Sequence, residues 1–110
     1  MKKLITTALV AASLLTAFSA SAADAKENWD QFCAKCHGAD GAGNTKIGKK
    51  LKVKDYTDAK VQAEFTDEQI AKVTLEGSTK DGKELMKGYK EDLSPADVTA
   101  LVAYIRQLKK

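Results

Sequence analysis

The feature that most constrains this chain is a five-residue stretch that holds both of its cysteines and its only histidine. Cys33 and Cys36 are separated by two residues, and His37 follows directly. The spacing Cys-x-x-Cys-His is the attachment signature of a c-type haem. Each thiol can form a thioether bond with one vinyl group of the porphyrin, and the imidazole is then placed to bind the iron. The motif therefore predicts one haem c, bound covalently through Cys33 and Cys36, with His37 as an axial ligand.

Three other uses of such a motif fit the sequence less well. A zinc site needs four nitrogen or sulfur ligands, and the chain supplies only three of these in cysteine and histidine. A thioredoxin-like dithiol belongs in a βαβ context, and no run of alternating or β-branched residues predicts strands here. A disulfide between such near neighbours closes too short a loop to stabilise much. Haem attachment is the favoured interpretation.

Residues 1–22 have the pattern of a secretory signal peptide. Two lysines precede an apolar run from Leu4 to Phe18, and Ala20-Ser21-Ala22 provides a cleavage site. The run is shorter than the roughly 20 apolar residues of a membrane-spanning helix. We therefore expect cleavage after Ala22, no stable membrane insertion, and residues 23–110 as a single monohaem domain in the periplasm.

The charge balance does not indicate a nucleic-acid partner. Two of the 18 Lys and Arg residues lie in residues 1–22, whereas all 15 Asp and Glu residues follow, so cleavage lowers the net charge from +3 to +1. Nucleic-acid-binding domains carry a strong basic excess. One run of lysines without acidic residues is either a solvated loop or a surface where an anionic redox partner docks. These lysines are Lys46, Lys49, Lys50, Lys52 and Lys54.

Apolar residues before the motif have helical spacing. Asp24 and Glu27 form a candidate capping box for a first helix. Trp29 and Phe32 share one stripe of that helix with the two thiols. The glycine-rich residues 38–44 are expected to end this helix and to form a loop against the haem edge.

Three further helices are indicated by capping signals. Their expected N-caps are Asp58, Thr66 and Ser94. The last helix has an amphipathic stripe and is expected to pack on the first. Residues 78–92 are expected to form a long loop.

The second axial position of the iron has one thioether candidate. Met1 leaves with the predicted signal peptide, so Met86 is the only methionine of residues 23–110. It lies between two expected helices, in a segment that can fold back over a haem. A thioether ligand raises the reduction potential and blocks the position where a gas or substrate would bind. The alternative is that Met86 fills the core and the iron stays open.

Taken together, these residues resemble the class I c-type cytochromes, and most of all the small, soluble bacterial kind with one haem. The resemblance is carried by Cys33-Ala34-Lys35-Cys36-His37-Gly38 after an aromatic-bearing helix, by Met86 in a late segment, and by the final helix. It covers essentially all of residues 24–110. It implies an all-α fold of three to four helices packed around one covalently bound haem, with His37 and Met86 as axial ligands.

Two positions depart from the family pattern. The loop after the haem motif often contains a proline whose carbonyl accepts the N–H of the proximal imidazole, but the only proline here is Pro95. Another backbone carbonyl is therefore expected to orient His37. A proline also often follows the axial methionine, whereas Lys87 follows Met86.

The expected function is that of a periplasmic electron carrier in which one haem iron cycles between Fe(III) and Fe(II). We expect it to be a monomer and to exchange electrons with redox proteins. No catalytic base is left once His37 binds iron, so we expect no enzyme. Two alternatives remain open. One is a haem-based ligand-binding or sensing protein with an open sixth position, and the other is a haem-free thiol–disulfide oxidoreductase.

Overall fold

The structure is a computed structural model that describes residues 22–110, with side chains from Asp24 onward. The predicted signal peptide, except for its last residue, lies outside the described residues. The helices are α1 (Ala22–Asn28), a π-helical turn (Trp29–Cys33), α2 (Ala34–His37), α3 (Lys46–Leu51), α4 (Ala59–Ala63), α5 (Asp67–Glu76) and α6 (Pro95–Gln107). Because the first three are continuous, the described residues hold five separate helices, where three to four were expected. The predicted all-α class is confirmed, with one short hairpin as an exception.

The N-terminal helix differs from its prediction in two ways. It includes Ala22, so Asp24 lies in its first turn and not at its N-cap. An acidic side chain in the first turn is still favourable because it faces the positive end of the helix dipole. The second difference is the π-helical turn, in which backbone hydrogen bonds run from residue i to i+5. The Ala34 N–H accordingly donates to the Trp29 carbonyl.

The core lies between the N-terminal helix and α6, as the two apolar stripes predicted. Trp29 and Leu101 are each only 1% exposed, and Cys33 is buried in the same cluster. The Trp29 ring packs on Tyr104 of α6 with ring centroids 5.7 Å apart. Its indole Nε1 donates to the Gly38 carbonyl at 3.0 Å, so this buried polar group is satisfied.

The three predicted N-caps are confirmed. Asp58 caps α4, Thr66 caps α5 and Ser94 caps α6, each by accepting a backbone N–H. The last two are complete capping boxes, and each cap is worth about 1 kcal/mol of stability. Each cap joins residues only two or three positions apart, so a local sequence pattern can indicate it.

The lysine-rich segment is not a solvated loop over Lys46–Leu51 but the helix α3. Its N-cap Thr45 accepts the Gly48 N–H at 2.8 Å and donates its hydroxyl to the Cys36 carbonyl at 2.6 Å. The helix ends at Lys52, which has a left-handed backbone with φ of 56°. Helix α3 is thus bound directly to the backbone of the Cys-x-x-Cys-His motif.

The expectation of a long loop at 78–92 is wrong for its first half. Antiparallel strands β1 (Ser78–Lys80) and β2 (Lys83–Met86) form a hairpin. Asp81 and Gly82 connect them with φ values of 52° and 75°, which suits the two-residue turns that favour Asp-Gly. Among the helices of the described residues, none has the length and apolar character needed to cross a membrane.

Candidate functional site

The cysteines and the histidine of the motif lie at the C-terminal end of the N-terminal helix. Cys33 is buried as the last residue of the π-helical turn, whereas Cys36 and His37 in α2 are half-buried. Both thiols are free. The helix ends at Gly38, whose φ of 84° suits a residue without a side chain. The motif therefore lies where the helix that carries the core gives way to the glycine-rich loop.

Two aromatic rings border the imidazole of His37. The Tyr56 ring is stacked on it, with centroids 5.4 Å apart and planes at 29°. The Trp29 ring lies 5.8 Å away at a tilt of 42°. Burial lowers the pKa of His37 and so favours the neutral imidazole. Neutral imidazole is the form that binds a metal.

The expectation that another backbone carbonyl orients His37 is wrong. Its Nδ1 is buried and has no hydrogen-bond partner among the residues that the structure describes. Neighbouring carbonyls accept from other donors: that of Gly38 from the Trp29 indole, and that of Cys36 from Thr45. The ring is bordered by aromatic side chains instead.

The buried thiol of Cys33 is held in its neutral form. Burial, with the nearby Cys36 as a second cause, raises the pKa of Cys33 to about 12. Reactive cysteines have a lowered pKa, since the thiolate is the nucleophile. Cys33 therefore lacks the activation that a thiol–disulfide oxidoreductase needs in its attacking cysteine.

The residues of the motif fit a covalently attached haem. Two free thiols lie on neighbouring turns of one helix, and the adjacent imidazole is neutral with an orphaned, buried Nδ1. Burial raises the pKa of Tyr56 and of Tyr89, and the nearby Cys33 is the second cause for each. Aromatic side chains next to the thiols are the surroundings that a large apolar cofactor requires.

Met86 is the last residue of β2 and is half-buried. It is not among the hydrophobic residues packed against the core cluster that contains Cys33. Its role as the second axial ligand stays a prediction.

Tyr89 connects the Met86 segment to the helix that carries the motif. Its hydroxyl donates to the Phe32 carbonyl at 3.1 Å, and the two rings pack with centroids 5.3 Å apart. The Tyr89 backbone N–H donates to the Thr74 carbonyl of α5 at 2.9 Å. The hydroxyl's partner lies 57 residues away in the sequence, and no local pattern indicates this contact.

The predicted docking lysines lie on or just after α3, and all five are exposed. Lys54 lies 3.5 Å from a Glu64 carboxylate, a solvent-exposed ion pair of small energetic value. Because the N-cap Thr45 is hydrogen-bonded to the Cys36 backbone, the start of the helix that carries these lysines lies next to the motif.

Comparison with known proteins places the chain in a family. The family model described as cytochrome C oxidase, cbb3-type, subunit III matches residues 20–105. A solved structure titled KustC0563 c-type cytochrome is 37% identical, covers 78% of this chain and 98% of its own, and superimposes with a TM-score of 0.70. A variant of Kustc0563 with a tyrosine replaced by phenylalanine gives 37% identity over 78% of this chain and 99% of its own, with a TM-score of 0.68. No curated protein matches the chain.

This family implies a covalently bound haem c. The match spans the Cys-x-x-Cys-His motif, the hairpin and nearly all of α6. The chain is therefore a small c-type cytochrome and belongs to the family described as cytochrome C oxidase, cbb3-type, subunit III.

Proposed function

We propose that this cytochrome is a periplasmic one-electron carrier of the class I type. The observation that carries the proposal is the partly buried motif itself: both thiols and the only imidazole of the chain lie together at one helix end. When bound there, haem c supplies one-electron chemistry between Fe(III) and Fe(II). Cys33 and Cys36 hold the group covalently, and His37 presents a neutral imidazole to the iron.

We further propose Met86 as the ligand on the opposite side of the iron. It is the only thioether in residues 23–110. Support comes from Tyr89, three residues later, whose hydroxyl donates to Phe32 beside the motif. A methionine ligand favours the reduced iron and closes the position where a small molecule would bind. A carrier, unlike a sensor, benefits from that closure.

The periplasmic location rests on the signal-peptide pattern of residues 1–22. The proposed partners are redox proteins with an anionic surface, which would dock on the lysines of α3. Clustered charge of one sign speeds the encounter of oppositely charged proteins. We propose that the protein acts as a monomer.

An open-iron sensor is the second candidate because Met86 lies outside the residues packed against the core. The two functions differ in the rate at which the reduced protein binds carbon monoxide. With Met86 bound, carbon monoxide must displace the thioether and binds slowly. With the position open, it binds rapidly.

The experiment is export of the full chain in a strain that matures cytochromes, followed by haem staining after denaturation and a reduced-minus-oxidised spectrum. We expect covalent haem, a reversible redox change and slow carbon monoxide binding. Met86→Ala should remove the methionine-to-ferric charge-transfer absorption and speed carbon monoxide binding. Leu85→Ala, which changes the half-buried neighbour on the same strand, serves as the matched control. Colourless protein with two titratable thiols would refute the carrier, and identical spectra for Met86→Ala would remove Met86 from the site.

A further inference from the structure

The imidazole of His37 lacks the interaction that normally orients a metal-bound histidine. Such histidines almost always donate their second ring N–H to a carboxylate, a carbonyl or water, which fixes the ring plane and raises the basicity of the ligand. In this structure Nδ1 of His37 is buried, and no group of residues 22–110 accepts a hydrogen bond from it. No hydrogen bond to the described residues therefore fixes the plane of the ring.

Ring stacking is strong enough to take over this role. Tyr56 stacks on the imidazole at 5.4 Å and 29°, and Trp29 packs on it at 5.8 Å and 42°. A packed aromatic pair adds stabilisation beyond the burial of its area, and its free energy is of the same order as the net contribution of one hydrogen bond. Ring packing can therefore hold the imidazole as firmly as one hydrogen bond would.

A stacked ring can orient its neighbour only if it is itself fixed, and Tyr56 is fixed on both sides of its backbone. Its N–H donates to the Gly41 carbonyl at 2.9 Å, and its carbonyl accepts from Gln62 Nε2 at 2.7 Å. Gln62 is 6% exposed and donates also to the Ile105 carbonyl of α6 at 2.8 Å. Its Oε1 accepts from Arg106 at 2.9 Å. A fully satisfied, buried amide of this kind holds the surrounding backbone rigid.

The second ring is fixed as well. The indole of Trp29 is buried and donates to the Gly38 carbonyl at 3.0 Å. The imidazole therefore lies against two rings that have their own independent contacts.

We propose that Tyr56 is a positioning residue for His37, and that its ring, in place of a hydrogen bond at Nδ1, sets the plane of the axial imidazole. The inference rests on the proposed function only in that His37 binds the haem iron. An Nδ1–H without an acceptor also leaves the imidazole less basic than a hydrogen-bonded one. Gln62 acts one step further away, through the Tyr56 backbone.

The chain offers a direct test because His37 is its only histidine. Labelling with ¹⁵N-histidine makes the NMR signals of the haem-loaded, reduced protein report this ring alone. We expect one sharp pair of ring-nitrogen resonances in the wild type and in Tyr56→Phe, which keeps the ring. We expect doubled or broadened resonances in Tyr56→Leu, which removes it.

Tyr104→Leu is the matched control, because it removes a tyrosine ring that packs on Trp29 at 5.7 Å from the α6 side. It should keep the wild-type resonances. Sharp wild-type signals in Tyr56→Leu would overturn the proposal, and so would equal broadening in Tyr56→Phe and Tyr56→Leu, which would assign the effect to the hydroxyl.

A measurement on the wild type decides the case even if Tyr56→Leu fails to fold. A downfield, slowly exchanging Nδ1 proton would reveal a hydrogen-bond acceptor and overturn the proposal, whereas an upfield Nδ1 proton supports it. Failure of the proposed function looks different. It appears as absence of covalent haem, or as rapid carbon monoxide binding, and not as a change in the His37 signals between variants.

Discussion

Replacing Gly48 with alanine has two opposing effects on stability: it raises the helix propensity of α3, and it adds a methyl group at a tight contact. Gly48 is buried in α3. A methyl group added there would overlap the carbonyl oxygen of Cys36, lie 2.7 Å from the Gly43 carbonyl oxygen and lie 2.8 Å from Thr45 Oγ1. Two of these three atoms belong to the backbone, so they can yield only if α3 moves away from the motif.

The magnitudes predict which effect wins. Alanine gains about 1 kcal/mol over glycine in a helix interior. Overpacking a tight contact costs about 1–3 kcal/mol. Moving α3 also weakens the hydrogen bond of Thr45 to Cys36, which is worth about 1 kcal/mol. We therefore expect Gly48→Ala to lower the free energy of unfolding by about 1–3 kcal/mol, although propensity alone predicts a gain.

Urea unfolding of the haem-loaded protein measures this change. Far-UV circular dichroism follows the transition through the loss of the helices, because Trp29 stays only four residues from the attachment point at Cys33 and its fluorescence remains quenched by the covalently bound haem. The midpoint should fall without a change in the slope m. Ala103→Gly, at an exposed position of α6, is the control that gives the propensity effect alone. A midpoint for Gly48→Ala at or above the wild type would refute the close approach of α3 to the motif.

Three other variants test separate parts of the structure. Tyr89→Phe removes a hydroxyl that donates at 3.1 Å to the helix that carries the motif. We expect the affinity of the reduced protein for carbon monoxide to rise roughly fivefold, which corresponds to the loss of about 1 kcal/mol. An unchanged affinity would show that this hydrogen bond does not hold Met86 in place. Exchanging Lys49 and Lys50 together for glutamate should slow reduction by an anionic reagent and speed reduction by a cationic one at low salt, and rates indifferent to ionic strength would contradict docking at α3. Leu101→Ala, at a position 1% exposed, should lower the free energy of unfolding in urea by about 2–5 kcal/mol, and a loss below about 1 kcal/mol would mean that the α6 contact is not central to the core.

Sequence patterns predicted the features that depend on neighbouring residues. The N-caps at Thr66 and Ser94 involve residues three positions apart, and both capping boxes are confirmed. The stripe of α6 predicted its packing on the N-terminal helix, since the spacing of apolar residues fixes which face is buried. The Asp81-Gly82 turn also depends on neighbouring residues and indicates a hairpin, although the short strands on either side of it have no alternating apolar pattern.

Features that depend on distant residues could not be predicted in this way. Helix α3 is cationic and holds a glycine in its interior, so its own propensity is poor. It is stabilised by Thr45, whose hydroxyl finds the Cys36 carbonyl nine residues earlier. The stacking of Tyr56 on His37 also joins different segments, and Tyr56 lies outside every motif. Such contacts follow from the tertiary fold and have no counterpart in local spacing.

The backbone carbonyls near the end of the N-terminal helix explain how separate segments come to share one site. The last four carbonyls of a helix have no partner within it, and a buried carbonyl needs a donor. Thr45 donates to the carbonyl of Cys36, which is one of these four, and so places α3. Tyr89 donates to the carbonyl of Phe32, which lies one turn before Cys36 and is not one of these four, and so places the segment after Met86. A substitution that breaks one of these hydrogen bonds should therefore affect one side of the proposed haem site. A substitution that shifts the helix end itself should affect both sides, because each segment takes its position from the same few carbonyls.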